Sequence, residues 1–110
     1  MVGWNRAMPG REAAANETFG KWQMFLMQEQ GAGRIQGFEH YLIQAHGGDL
    51  NGFTMVKGSY SQLTALEGGE VFIQIITEAM HSMQDMGVTK AFTGEAMMNQ
   101  MGRWQKVWAK

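Results

Sequence analysis

Ala15, Phe19, Trp22 and Leu26 follow one another at spacings of four, three and four, with Phe25 alongside, which puts large apolar side chains on one face of a helix running from about Arg11 to Gln30. Gly31-Ala32-Gly33 ends it, because glycine readily takes the left-handed conformation of a helix C-terminus. Ahead of the helix, Val2, Trp4 and Arg6 alternate with Gly3 and Asn5, a pattern for a first strand within residues 1–8 that Pro9-Gly10 stops. From Arg34 to His46 the apolar residues lose helical spacing. The chain then passes through Gly47-Gly48-Asp49-Leu50-Asn51-Gly52 into Phe53–Gly58, the pattern of a β-hairpin. Its first strand is apolar on both sides, with Ile35, Tyr41 and Ile43 on one and Phe38 and Leu42 on the other, so it is expected to be covered on both.

Ser59 or Ser61 can cap a short helix through Leu66, which Gly68-Gly69 interrupts. A long helix follows over Glu70–Met86, with Phe72, Ile75, Ile76, Ala79, Met80 and Met83 on its apolar face and Gly87 as its stop. Val88–Glu95 reads as a fourth strand. Ala96–Trp108 reads as a C-terminal helix with Met97, Met101, Trp104 and Trp108 in one stripe. No Pro- or Ser-rich stretch divides the chain, so residues 1–110 are expected to form a single α+β domain. The order strand, helix, strand, strand, helix, strand is the split βαβ pattern of a ferredoxin-like βαββαβ sandwich, here with an added helix. In that fold the helices cover one face of the sheet, and the two-sided strand calls for a second sheet over the other.

Composition sharpens this expectation. Four Trp, six Phe and eleven Met in 110 residues are more large apolar groups than a short chain readily hides, which points to a homodimer. Met24, Met27, Met80, Met83, Met97, Met98 and Met101 fall on helices and are expected to fill gaps in the core. Nine basic and ten acidic residues leave a formal charge of −1, and no basic stripe is interleaved with aromatic residues, so nucleic acid is not an expected partner. The lack of cysteine excludes disulfides, thiol nucleophiles and zinc–thiolate or iron–sulfur sites, and gives no support to secretion. No apolar run is long enough to span a membrane, and Met1–Arg6 lacks the features of a signal peptide, so the expected address is cytoplasmic.

Candidate chemistry is sparse. His46-Gly47-Gly48-Asp49-Leu50-Asn51-Gly52 can be a polar loop offering imidazole and carboxylate to a small ligand, or simply a hairpin connection in which Gly, Asp and Asn supply positive φ; the turn is the favoured reading. It lacks the spacing of a phosphate loop and precedes a strand. His40 and His46 lie about 20 Å apart along one extended strand, too far for one metal, and no metal or cofactor is expected. Trp4 and Arg6 share a strand face, while His40 or Glu39 and Thr93 or Glu95 could reach the same cavity from the other strands. Either these line a ligand site, with a carboxylate raised in pKa beside an aromatic wall, or they form an Arg–Glu pair with Trp4 as packing.

With Gly3-Trp4-Asn5-Arg6, Pro9-Gly10-Arg11-Glu12, the His46–Phe53 connection and Thr93-Gly94-Glu95, the chain resembles the dimeric α/β-barrel superfamily and, within it, a group of short bacterial proteins of unassigned function. The resemblance implies two ferredoxin-like protomers packed sheet against sheet around a cavity. It brings no catalytic residue with it. Two functions are therefore carried forward. One is binding of a small aromatic or polar molecule, with or without cofactor-independent chemistry, at Trp4, Arg6, His40, His46, Asp49 and Glu95. The alternative is a non-catalytic interaction or scaffold dimer that works through its dimer surface and C-terminal helix.

Overall fold

A computed structural model describes residues 1–109. The elements are β1 (Val2–Trp4), α1 (Glu12–Gly31), β2 (Gly37–Leu42), β3 (Gly52–Lys57), α2 (Tyr60–Glu67), α3 (Glu70–Ser82), β4 (Gly87–Val88) and α4 (Gly94–Trp108). The strands form one sheet in the order β2-β3-β1-β4, with every neighbouring pair antiparallel. The chain is thus an α+β domain of four antiparallel strands and four helices, compatible with a ferredoxin-like sandwich.

The helix ends follow from local chemistry. At the end of α1, Gly33 takes φ 74°, which lets its N–H donate to the Gln30 carbonyl while the Arg34 N–H reaches the Glu29 carbonyl, so the last turn leaves few orphan carbonyls. The Arg34 guanidinium closes on the Glu29 carboxylate at 2.7 Å. Ser59, rather than Ser61, caps α2: its hydroxyl accepts from the Gln62 N–H and the Gln62 side chain accepts from the Ser59 N–H.

The apolar face of α1 buries Ala15, Trp22, Phe25 and Leu26, whereas Phe19 of the same stripe is 39% exposed. Together with Val2, Ile35, Phe72 and Ile75 they form the core between the helices and one face of the sheet, and Leu26 is fully enclosed. Most of the helical methionines do not join it. Met24, Met27 and Met80 are exposed and Met83 is half-buried, because aromatic and branched side chains already occupy the interior faces of α1 and α3, and Met97, Met98 and Met101 are exposed on α4, which has no buried residue.

Three boundaries differ from the pattern in the sequence. β1 is only three residues long, and the chain beyond it pairs instead with the residues after α3: the Asn5 N–H donates to the Gln84 carbonyl, Gln84 N–H to Arg6 and Met8 N–H to Ser82. This pairing ends α3 at Ser82, ahead of Gly87. β4 is reduced to Gly87–Val88, because its sole neighbour in the sheet is the short β1. Thr93-Gly94-Glu95 is accordingly not strand; Gly94, at φ 58°, opens α4.

The two-sided strand is only partly covered within one chain. Phe38 packs on the core, whereas Leu42 is 81% exposed at the sheet edge and Tyr41 lies open on the face without helices.

Leu26→Ala is expected to destabilise the fold by about 2–5 kcal/mol, through lost burial and the cavity left behind. Met24→Ala on the outer face of the same helix should stay within about 0.5 kcal/mol of the parent. Urea denaturation of the two variants checks both.

Candidate functional site

The layer between the helices and β1 does not close completely. A cleft of about 270 Å³ remains between α1 and α3, walled by Trp4, Phe19, Trp22, Ile75, Ile76 and Met83, with Asn16 among its few polar groups. Among the described residues no charged side chain lines it. β1 supplies Trp4 because its side chain points to the helix face. Gly52, opposite Trp4 in the register, makes room for the indole: a Cβ there would come within 2.6 Å of it. Phe19 meets Trp4 edge-on at 6.1 Å between ring centres and then leans on His40 at 4.9 Å.

Behind this wall runs a chain of hydrogen bonds. The Trp22 indole N–H donates to Thr54 Oγ1 at 3.0 Å, His40 Nδ1 lies 2.8 Å from the same oxygen, and His40 Nε2 lies 2.5 Å from Gln23 Oε1. One proton assignment satisfies every group. Trp22 donates to Thr54, the Thr54 hydroxyl donates to Nδ1, and the Nε2–H of a neutral imidazole donates to the Gln23 carbonyl. Burial holds the His40 pKa below its usual value, in keeping with that neutral form.

The six residues singled out in the sequence do not converge. Trp4 and His40 come together through Phe19. Arg6 lies beyond the end of β1, exposed, with its Nε 3.5 Å from Asn5 Oδ1. His46 and Asp49 are exposed in the connection between β2 and β3, where His46 Nδ1 lies 3.1 Å from the Gln44 carbonyl and Gly47 takes φ 83°. Glu95 sits exposed in the first turn of α4. Asn51 anchors that connection: its side-chain amide donates to Asn5 Oδ1 and to the Gly48 carbonyl, and Asn5 in turn donates to Asp85 at 3.0 Å.

Thr54, Gln23 and Asn16 were not apparent in the sequence. A lone threonine within Phe53–Val56 was the one available signal, since a hydroxyl in an apolar strand needs a partner if it is buried. A second hollow of about 210 Å³ lies beside β4, bordered by Lys57 and by the Lys90–Glu67 ion pair at 2.9 Å. Among the described residues no three His, Asp or Glu side chains gather as a metal site.

No family model, curated protein or solved structure matches this chain.

Thr54→Val would leave the Trp22 N–H and His40 Nδ1 without their shared partner, at a cost of about 1–3 kcal/mol in denaturant unfolding. The depressed pKa of His40 also fixes the sign of a pH dependence. Above the unfolded-state value of about 6.5 its contribution is fully present, and it is lost as pH falls through that value toward the lower folded-state pKa. Stability should therefore rise as pH climbs toward about 6.5 and level off above it. Unfolding curves of His40→Gln at matched pH should show a shallower slope.

Proposed function

We propose that this protein binds a small, flat, apolar molecule of one or two rings in the cleft between α1, α3 and β1, as a homodimer of ferredoxin-like protomers. The observation that carries the ligand reading is the lining itself: two tryptophans and a phenylalanine around open space, without a charge. Such a wall favours an aromatic ligand through area and edge contacts. Its volume lies just below the usual range for drug-sized ligands, which argues for a small ring system. Asn16 can fix the orientation of one polar substituent. The imidazole of His40 has both nitrogens engaged and stands behind the wall, so the reading is binding rather than proton transfer.

The dimer reading rests on the face of the sheet that no helix covers. Tyr41 stacks on Phe53 at 4.8 Å there, in a line with Met55, and Leu50 folds over Gly3. An aromatic patch on a sheet face, with the Glu39 carboxylate on the edge strand accepting from the Tyr41 hydroxyl at 2.6 Å, is the surface that a second sheet would cover in a dimeric α/β barrel.

Titration with indole and with naphthalene, followed by tryptophan emission and by amide chemical shifts, is expected to show one saturable site per chain. Asn16→Trp, an exposed helix position at the cleft edge, should abolish it. Unchanged binding in that variant, or shifts scattered away from Phe19 and Ile76, would sink the cleft as the site. Sedimentation of Tyr41→Lys/Phe53→Lys should give half the mass of the parent, and an unchanged mass would rule out dimerisation through this face.

A further inference from the structure

α4 stands apart from the rest of the molecule. None of its residues is buried, no other helix or strand packs along it, and Thr93 at its N-cap makes no side-chain hydrogen bond. The chain's radius of gyration is 15.9 Å, against about 13 Å for a compact chain of this length. A solitary helix of 15 residues is marginal in water. Something must hold it.

We infer that α4 pairs antiparallel with α4 of a second copy. Met97, Met101, Trp104 and Trp108 recur at four, three and four, the narrow seam of a two-stranded coiled coil, and all four are exposed, Trp108 by 72%. The charged residues Glu95, Arg103 and Lys106 all fall round the back of the helix. The positions flanking the seam are Met98, Gln100, Gln105 and Val107, so no like charges oppose one another when the helix meets its own copy. A seam of this kind is self-complementary, as a two-fold contact requires.

Size and charge choose the orientation. An antiparallel pair centred between Met101 and Trp104 sets Met101 against Trp104 of the second copy and Met97 against Trp108 of the second copy. Every layer then joins one indole to one flexible thioether. A parallel pair would stack indole on indole in two layers and leave the others to methionine alone. The antiparallel pair also sets the two helix dipoles head to tail. Two tryptophans, each able to bury about 150–250 Å², together with the methionines amount to on the order of 500 Å² per helix. That is about 1,000 Å² across the pair, the threshold of a specific interface. The contact depends neither on the cleft nor on the open sheet face.

Since the chain has no cysteine, engineered thiols report this geometry without interference. A chain carrying Met98→Cys is mixed with one carrying Gln105→Cys in a glutathione redox buffer. The antiparallel seam brings these two flanking positions together, so the expected product is a mixed disulfide dimer in large excess over either chain linked to itself. Adding Met101→Glu to both chains should abolish it while leaving cooperative unfolding of the body unchanged, since no residue of α4 belongs to the core. Equal amounts of all three pairings, a preponderance of self-linked chains, or a mixed disulfide that survives Met101→Glu would each overturn the inference. Neither thiol touches the cleft or the sheet, and the mass of Tyr41→Lys/Phe53→Lys is compared with that of its parent with Met101→Glu present in both, so ligand binding and the sheet-face dimer stand or fall separately.

Discussion

The hydroxyl of Thr54 is the polar centre on which the packing of the two layers depends. It lies fully buried in the middle of β3, where an unpartnered hydroxyl would be costly, and it is used from both sides. Trp22 reaches it from α1 and His40 reaches it from β2. Because Val2 lies opposite Thr54 in the β1–β3 register and His40 opposite it in the β2–β3 register, one oxygen fixes how α1 sits over three strands. A slip of β3 by one residue would turn the hydroxyl to the outer face and leave the indole N–H without a partner.

The cleft follows from that arrangement. With Trp22 drawn down to Thr54, and Trp4 laid over the space left by Gly52, the aromatic side chains stand as walls around a gap. Asn16 lies one helical turn from Phe19 and can therefore sit at the edge of a cleft that Phe19 walls. His40 belongs to the same network. Its nitrogens are engaged by groups that hold the fold together.

Apolar surface is left over in two other places. β1 offers β4 few partners, so the chain leaves the sheet after Val88 and the residues beyond it enter a helix with no body to pack on. On the open sheet face, Tyr41 and Phe53 satisfy one another by stacking, yet their outer surfaces still meet water. A domain of this size has little interior, and these surfaces are where its excess aromatic and thioether groups collect.

Much of the architecture was legible in the sequence because it is written in local periodicity. The four-three-four spacing over Ala15–Leu26 is α1, the Phe53–Gly58 pattern is β3, and Met97–Trp108 is the stripe of α4. Turn chemistry marked the ends of α1 and α2, since Gly33 and Ser59 act on neighbours a few residues away. What the sequence could not decide were matters set by residues distant in the chain. Whether Val88–Glu95 stays a strand depends on how long β1 is, and α3 stops where Ser82–Gln84 meets Asn5–Met8. Whether a helical methionine is core or surface depends on what already fills the interior. The candidate site divides in the same way: Trp4 and His40 could be named from their types, but bringing them together through Phe19, with Arg6, His46, Asp49 and Glu95 elsewhere, required strand register and helix docking, which no local pattern encodes.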